Sequence, residues 1–180
     1  MIRFILVIYV LFTLHLTAYS QTTASFAPTE DVHYYDFWAG NWQKLVDGKI
    51  DTAADYFQVK RGVHAASFEE NWRMVLAANR IVYAQALRAW DQATQKWMYT
   101  WISDTGLYQV WEGKKIGSDW YIYRNFNIDG DKYLSRQAWL PDGPERLIRI
   151  SEKSYDEGKT WQLRFKEYYQ RKKESPNSIK

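Results

Sequence analysis

Cysteine is absent from the 180 residues of the chain, which excludes disulfide bonds, thiolate metal sites, iron–sulfur clusters and a cysteine nucleophile. Excess charge is also small. The 24 Lys and Arg against 21 Asp and Glu give a formal net charge of +3, which is too little to indicate a nucleic-acid-binding protein. The hydrophobic fraction of 46% and the charged fraction of 25% are ordinary for a globular protein, so wholesale disorder is excluded.

One long hydrophobic run lies at the N-terminus, and it predicts a secretory signal peptide over residues 1–20. Arg3 supplies the positive start, residues 4–18 are mostly apolar, and Ala18 and Ser20 are the small residues that a signal peptidase reads. Spanning a bilayer takes about 20 apolar residues, and this run is shorter and interrupted by polar residues. We therefore expect cleavage after Ser20 and export to the periplasm or outside the cell, with no membrane attachment of the mature protein.

Residues 34–171 show the pattern of an all-β protein. Short segments rich in Trp, Tyr, Val, Ile and Phe alternate with turn dipeptides such as Asp47-Gly48 and Asp129-Gly130, at the roughly 8–12-residue spacing of sandwiches and barrels. The predicted strands are 41–46, 54–60, 65–74, 81–90, 97–103, 107–112, 120–128, 133–140, 146–151 and 161–170. Closing such a meander removes its exposed edges, so we predict a single antiparallel up-and-down β-barrel of nine or ten strands. We expect a polar leader at 21–33, a short helix or loop at about 34–38 and a flexible tail at 172–180.

Four landmarks in the sequence resemble a known family. They are Tyr35-Asp36-Phe37-Trp38-Ala39-Gly40-Asn41-Trp42, Glu70-Asn71-Trp72, Trp97-Met98-Tyr99-Thr100-Trp101 and the segment 152–161. In this order they resemble a lipocalin-like (calycin) family of exported bacterial proteins, most of unknown function. The resemblance covers about residues 35–171 and implies a small lipocalin-like barrel, plugged at one end by an N-terminal helix or loop, but no activity. Tyr99 and Ser103 stand where the family usually has Gln and Asp, so a pocket there would have different contents.

The last landmark contains a Ser-x-Asp-x-Gly-x-Thr-Trp motif, which is similar to the Asp box of sialidase propellers. A propeller would carry several copies, and this chain has one. We therefore interpret the motif as a hairpin staple in which Asp156 binds amides of the turn and Trp161 enters the core.

Charged residues on apolar strand faces are the best signal of a site. Glu70 lies between Phe68 and Trp72 in strand parity, Glu152 follows two isoleucines, and Arg124 lies among apolar residues. If these faces point into the barrel, the charges are buried and each must be paired or bound. The residues predicted to line a ligand-binding cup are Glu70, Trp72, Tyr99, Trp101, Arg124 and Glu152. The expected occupant is a small apolar or amphiphilic molecule in a cavity of roughly 300–1,000 Å³.

Other interpretations stay open at this point. The same charges could form an internal salt-bridge network without a ligand, or Glu70 or Glu152 could act as the acid–base group of an isomerase or hydratase. A carbohydrate-binding protein could instead use exposed indoles, with five candidates outside the landmarks: Trp38, Trp90, Trp111, Trp120 and Trp139. We assign no metal and no cofactor, because the mature chain keeps only His33 and His64; a surface position for His64 is favoured over the role of a single axial haem ligand.

Overall fold

The computed structural model describes residues 30–76 and 80–173. The predicted signal peptide, residues 21–29 of the predicted leader and residues 174–180 of the predicted tail lie outside the described residues. Within the described ranges, no helix is both long enough and apolar enough to cross a membrane.

The described residues form one short 3-10 helix and eleven β-strands. The helix covers Glu30–His33. The strands are β1 Gly40–Val46, β2 Lys49–Ile50, β3 Tyr56–Arg61, β4 Ser67–Val75, β5 Ile81–Asp91, β6 Lys96–Ser103, β7 Tyr108–Ile116, β8 Asp119–Ile128, β9 Asp131–Pro141, β10 Arg146–Ser154 and β11 Gln162–Arg171. All ten predicted strands are confirmed, with shifted ends, whereas the two-residue β2 was not predicted.

The strands form a closed antiparallel barrel. Strands β3 to β11 each pair with their neighbours in sequence, β1 pairs with β3 on one side and with β11 on the other, and β2 adds a short extra strand to β1. The β1–β11 ladder places Trp42 opposite Arg171 and Leu45 opposite Tyr168. This confirms the predicted up-and-down barrel of nine or ten strands: ten strands close the wall and one is extra, which is consistent with a lipocalin-like fold.

The segment before β1 plugs one end of the barrel. Tyr35 and Trp38 are fully buried, and the indole of Trp97 donates to the carbonyl of Asp31 at 2.8 Å. The helix lies four residues earlier than the predicted 34–38. The aromatic residues that follow it are instead drawn into the barrel end as a turn, since burying such rings is favourable.

Arg171 seals the same end against β1. Its guanidinium lies 4.3 Å over the ring of Trp42 and donates to the carbonyls of Phe37 and Ala39 at 2.8 and 2.6 Å. Gly40 has φ of 144°, and a Cβ there would collide with the Arg171 guanidinium. The absence of a side chain at Gly40 therefore lets the Arg171 guanidinium approach the backbone of β1.

The predicted hairpin staple is present between β10 and β11, with one correction. Asp156 accepts from the amide and the hydroxyl of Thr160 at 2.8 and 2.7 Å, and the amide of Gly158 donates to the Ser154 hydroxyl. These hydrogen bonds hold the pKa of Asp156 well below its usual range. The prediction that Trp161 enters the core is wrong: its indole donates to the Gly158 carbonyl and packs on the outer wall against Arg136.

Candidate functional site

A buried ion pair occupies the centre of the barrel. Glu70 on β4 and Arg88 on β5 both have fully buried side chains, and the Nε of Arg88 donates to Oε1 of Glu70 at 3.0 Å. The indoles of Trp38 and Trp72 donate to the two oxygens of the same carboxylate, each at 2.9 Å. Three donors therefore balance the desolvation of one buried carboxylate.

Four aromatic rings surround the guanidinium of Arg88. Its central carbon lies 4.4 Å from the ring centre of Tyr35, 4.5 Å from that of Trp139, 4.7 Å from that of Tyr99 and 5.2 Å from that of Trp38. Each ring offers its negative face to the cation. Burial raises the pKa of the Tyr35 hydroxyl to about 12, even though Arg88 acts in the opposite direction. This part of the interior is packed solid and leaves no space for a ligand.

A cavity of about 80 Å³ remains between this packed layer and the end of the barrel that lies away from the N-terminal segment. It is lined by Met74, Tyr99, Trp101, Gln109, Trp111, Ile122, Gln137 and Arg149. The predicted range of 300–1,000 Å³ is therefore wrong for this structure. Buried aromatic side chains occupy the inside of the ten-stranded wall and leave only this small space.

Among the described residues that line the cavity, Arg149 on β10 supplies the only guanidinium. Its terminal nitrogens donate to Glu167 and to Gln137, both at 3.2 Å, and its guanidinium lies 5.4 Å from the ring of Trp72. Glu167 also receives a hydrogen bond from Lys44 at 2.7 Å. Burial alone would raise the pKa of Glu167, but Arg149 and Lys44 outweigh it and hold that pKa below its usual value. The cavity thus has aromatic walls and one charged corner.

The structure brings together four of the six predicted site residues. Tyr99 and Trp101 line the cavity, and Trp72 and Glu70 lie behind it, with Trp72 in contact with Trp101 at 5.7 Å between ring centres. Arg124 is on the inner face of β8, between the buried Ile122 and the half-buried Phe126, but it does not line the cavity.

The prediction that Glu152 points into the barrel is wrong. In the β9–β10 ladder, Arg149 is the partner of Trp139, whereas Glu152 is the partner of Arg136. Since partners in an antiparallel ladder share a face, Glu152 lies on the face opposite to the buried Trp139. It forms an ion pair with Arg136 on the outer wall, and both side chains are about one-fifth exposed, at 19% and 18%.

Arg88 and Arg149 are the site residues that sequence reasoning missed. Arg88 carried a signal, since it follows Ala84 and Ala86 in strand parity on an apolar face of β5. Arg149 carried a misleading one. It lies between Ile148 and Ile150, whose hydrophobic side chains suggested that they were the inward-facing residues.

The five indoles proposed as carbohydrate platforms are all buried. Their exposed fractions run from 0% to 7%, which speaks against the alternative of a carbohydrate-binding surface made of these tryptophans. Their rings form the aromatic core instead.

His64 is exposed in the β3–β4 loop, and its Nδ1 accepts from the amide of Ala66 at 3.2 Å. Across the described ranges, no cluster of three or more His, Cys, Asp or Glu residues could hold a metal ion.

The geometry is suited to binding rather than to proton transfer at Glu70, because that carboxylate has three donors and no place on the cavity lining. The cavity itself combines a hydrophobic wall with convergent polar groups, which is the usual composition of small-molecule sites. No protein-family model matches the chain, and no similar protein is found among the curated ones.

Proposed function

We propose that this protein is exported and binds a small amphiphilic molecule in the half of its barrel that lies away from the N-terminal segment, as a member of the lipocalin-like family that its landmarks resemble. The observation that supports this most directly is the 80 Å³ cavity, which joins the indoles of Trp101 and Trp111 to polar groups of Gln109, Gln137 and Arg149. An occupant would place its apolar part against the indoles and its polar part toward Arg149.

The size of the cavity limits the occupant. A space of 80 Å³ is well below the roughly 300–1,000 Å³ of sites for drug-sized ligands. The ligand is therefore a molecule of a few non-hydrogen atoms, or a somewhat larger one that displaces the flexible side chain of Met74.

The proposal is tested with benzyl alcohol as a probe and with protein carrying 15N-labelled tryptophan. We expect the indole resonances of Trp101 and Trp111 to shift saturably, while that of Trp161 on the outer wall does not move. Met74→Trp should block the cavity and abolish the shifts. Leu87→Trp is the matched control, because it adds the same indole at a position that is 48% exposed.

Two results would contradict the proposal: the absence of any saturable shift in the unmodified protein, or equal shifts in Met74→Trp and Leu87→Trp. Native mass spectrometry of protein purified from its own source then identifies the natural occupant, which should be a co-purifying molecule of low mass.

A further inference from the structure

We infer that this protein forms a dimer with twofold symmetry through the outer wall of strands β4 to β7. The centre of the contact, named here the apolar face, consists of Tyr83 and Leu87 on β5, Ile102 on β6, and Tyr108 and Val110 on β7. The partner is a second copy of the same chain. This inference goes beyond the proposed function and does not depend on a ligand.

The apolar face is continuous and open to solvent. Its five side chains are between 46% and 63% exposed. Ile102 is the ladder partner of Tyr108, and Leu87 and Val110 are both ladder partners of Thr100. Since partners in an antiparallel ladder share a face, these side chains lie next to one another on the outside of the barrel.

Charge is absent from this part of the wall, although other parts of the wall carry it. None of the outward-facing residues at the centre of β5, β6 and β7 is charged; they are Tyr83, Gln85, Leu87, Thr100, Ile102, Tyr108 and Val110. The outer wall of β9 to β11 instead carries Arg136, Glu152 and Lys166. Interface centres are depleted of charged residues and enriched in tyrosine, so the composition of the apolar face is that of a protein contact.

The size of this part of the wall fits the centre of a dimer interface. Four strands about 4.8 Å apart, over about six residues at about 3.4 Å each, cover about 400 Å². An ordinary interface buries about 800 Å² on each partner and is a little more than half non-polar, which requires about 450 Å² of apolar area. Glu69 and Arg73 on β4 and Glu112 on β7 lie outside the apolar face and supply a charged rim.

One row of side chains across the wall has two halves that complement each other. It consists of Asn71, Gln85, Ile102 and Tyr108, each the ladder partner of the next across β4 to β7. Ile102 and Tyr108 form an exposed apolar ridge. Asn71 and Gln85 are joined by a hydrogen bond of 3.2 Å and line two adjoining grooves of about 280 and 390 Å³. The row therefore offers both a ridge and a groove.

A twofold axis parallel to the strands, between β5 and β6, places the ridge of each copy in the groove of the other. The ring of Tyr108 then fills the groove of the second copy, and its hydroxyl reaches the amide groups of Asn71 and Gln85 there. A tyrosine suits this position because it combines an apolar ring with a polar tip. Every contact occurs twice in such a dimer, which covers the apolar face of both copies at once.

The test measures the molar mass of the exported protein by sedimentation equilibrium between about 1 and 100 μM, where interfaces of ordinary size with modest affinity dissociate. We expect a reversible dimer within this range or tighter. Ile102→Lys brings two like charges together at the centre of the contact and should raise the dissociation constant at least tenfold. Ile128→Lys is the matched control, because Ile128 is 52% exposed, against 51% for Ile102, and lies outside the apolar face at the end of β8. It should dimerise as the unmodified protein does.

A pair of substitutions tests the twofold arrangement of the row. Tyr108→Lys alone removes the ring from the groove and should weaken the dimer. Adding Asn71→Asp should tighten it again at least threefold, because each new lysine then faces a carboxylate of the second copy. Within one chain the two positions are three strands apart, about 14 Å, so an ion pair inside the monomer does not explain a recovery. Circular dichroism shows that each variant is folded.

Three outcomes would overturn the inference. The first is the mass of a monomer over the whole concentration range, whatever else binds to the apolar face. The second is an equal dissociation constant for Ile102→Lys and Ile128→Lys, which would place the dimer contact on another surface. The third is a double variant that dimerises no better than Tyr108→Lys, which would exclude the twofold pairing of the row. The cavity residues point inward, so the benzyl alcohol titration decides the proposed function independently.

Discussion

Replacing Glu70 with glutamine is the sharpest test of how the barrel centre is held together. The variant keeps the shape of the side chain but removes the charge that faces Arg88 across 3.0 Å. One carboxylate oxygen also becomes an NH2 group, so a donor then faces the indole N–H of Trp72 or the donors from Trp38 and Arg88. Both charged side chains are 0% exposed, so bulk solvent does not reach this position to replace the lost acceptor.

The expected loss is about 3–5 kcal/mol in the free energy of unfolding, the range for removing one partner of a buried ion pair. The aromatic rings around Arg88 favour the lower part of this range, since a desolvated cation–π contact contributes about 2 kcal/mol. A guanidinium is not deprotonated in proteins, so the cation of Arg88 persists in the variant and stays unbalanced.

Urea unfolding followed by tryptophan fluorescence and far-ultraviolet circular dichroism gives the free energies. Glu152→Gln is the control, since its partner Arg136 is on the outer wall and both are partly exposed; its cost should stay below about 1 kcal/mol. The double variant Glu70→Gln/Arg88→Met should be more stable than Glu70→Gln alone, because the uncompensated charge is gone. If Glu70→Gln costs no more than Glu152→Gln, the argument for a stabilising central ion pair fails.

Two further predictions concern the tyrosines and the wall. Burial raises the pKa of Tyr35, Tyr99 and Tyr169, so their contribution to stability is complete below the unfolded value of about 10 and is lost as pH rises through the folded values. Each should lower the free energy of unfolding by about 1.4 kcal/mol per pH unit above pH 10; urea titrations that are flat between about pH 9 and 11 would refute this. Gly113→Ala should cost about 1–3 kcal/mol, because its Cβ would meet the Trp97 carbonyl and the Trp120 ring; an unchanged urea midpoint would contradict that packing.

The strands of this protein could be predicted from local sequence. Residues Asp47-Gly48 and Asp129-Gly130 adopt positive φ at both positions, as tight hairpin turns require. Between such turns, alternation on β5 is almost regular, with Val82, Ala84 and Ala86 buried and their neighbours exposed. Because these signals are local, they predicted ten strands and their order without any knowledge of the packing.

Local sequence did not predict which residues of β10 point into the barrel. Leu147 and Arg149 point inward, whereas Ile148 and Ile150 point outward. The pair of isoleucines, which is the more hydrophobic pair, therefore lies on the outer face, although hydrophobic alternation predicts that it faces the core. An irregularity in the β10–β11 register between Ser151 and Glu152 adds to the difficulty, because it shifts which residues of β11 lie opposite. A one-residue error in parity moves a whole strand to the other face, and this error misplaced Glu152.

The sequence by itself determined the all-β character, the turns and the enrichment in aromatic side chains, since these follow from residue types and spacing along the chain. Only the tertiary structure decided which charges meet. Glu70 and Arg88 are 18 residues apart, and Arg149 and Glu167 are also 18 apart, so neither pairing follows from local spacing. Their contacts, and the small volume left beside them, depend on how ten strands close and on how the indoles fill the space within.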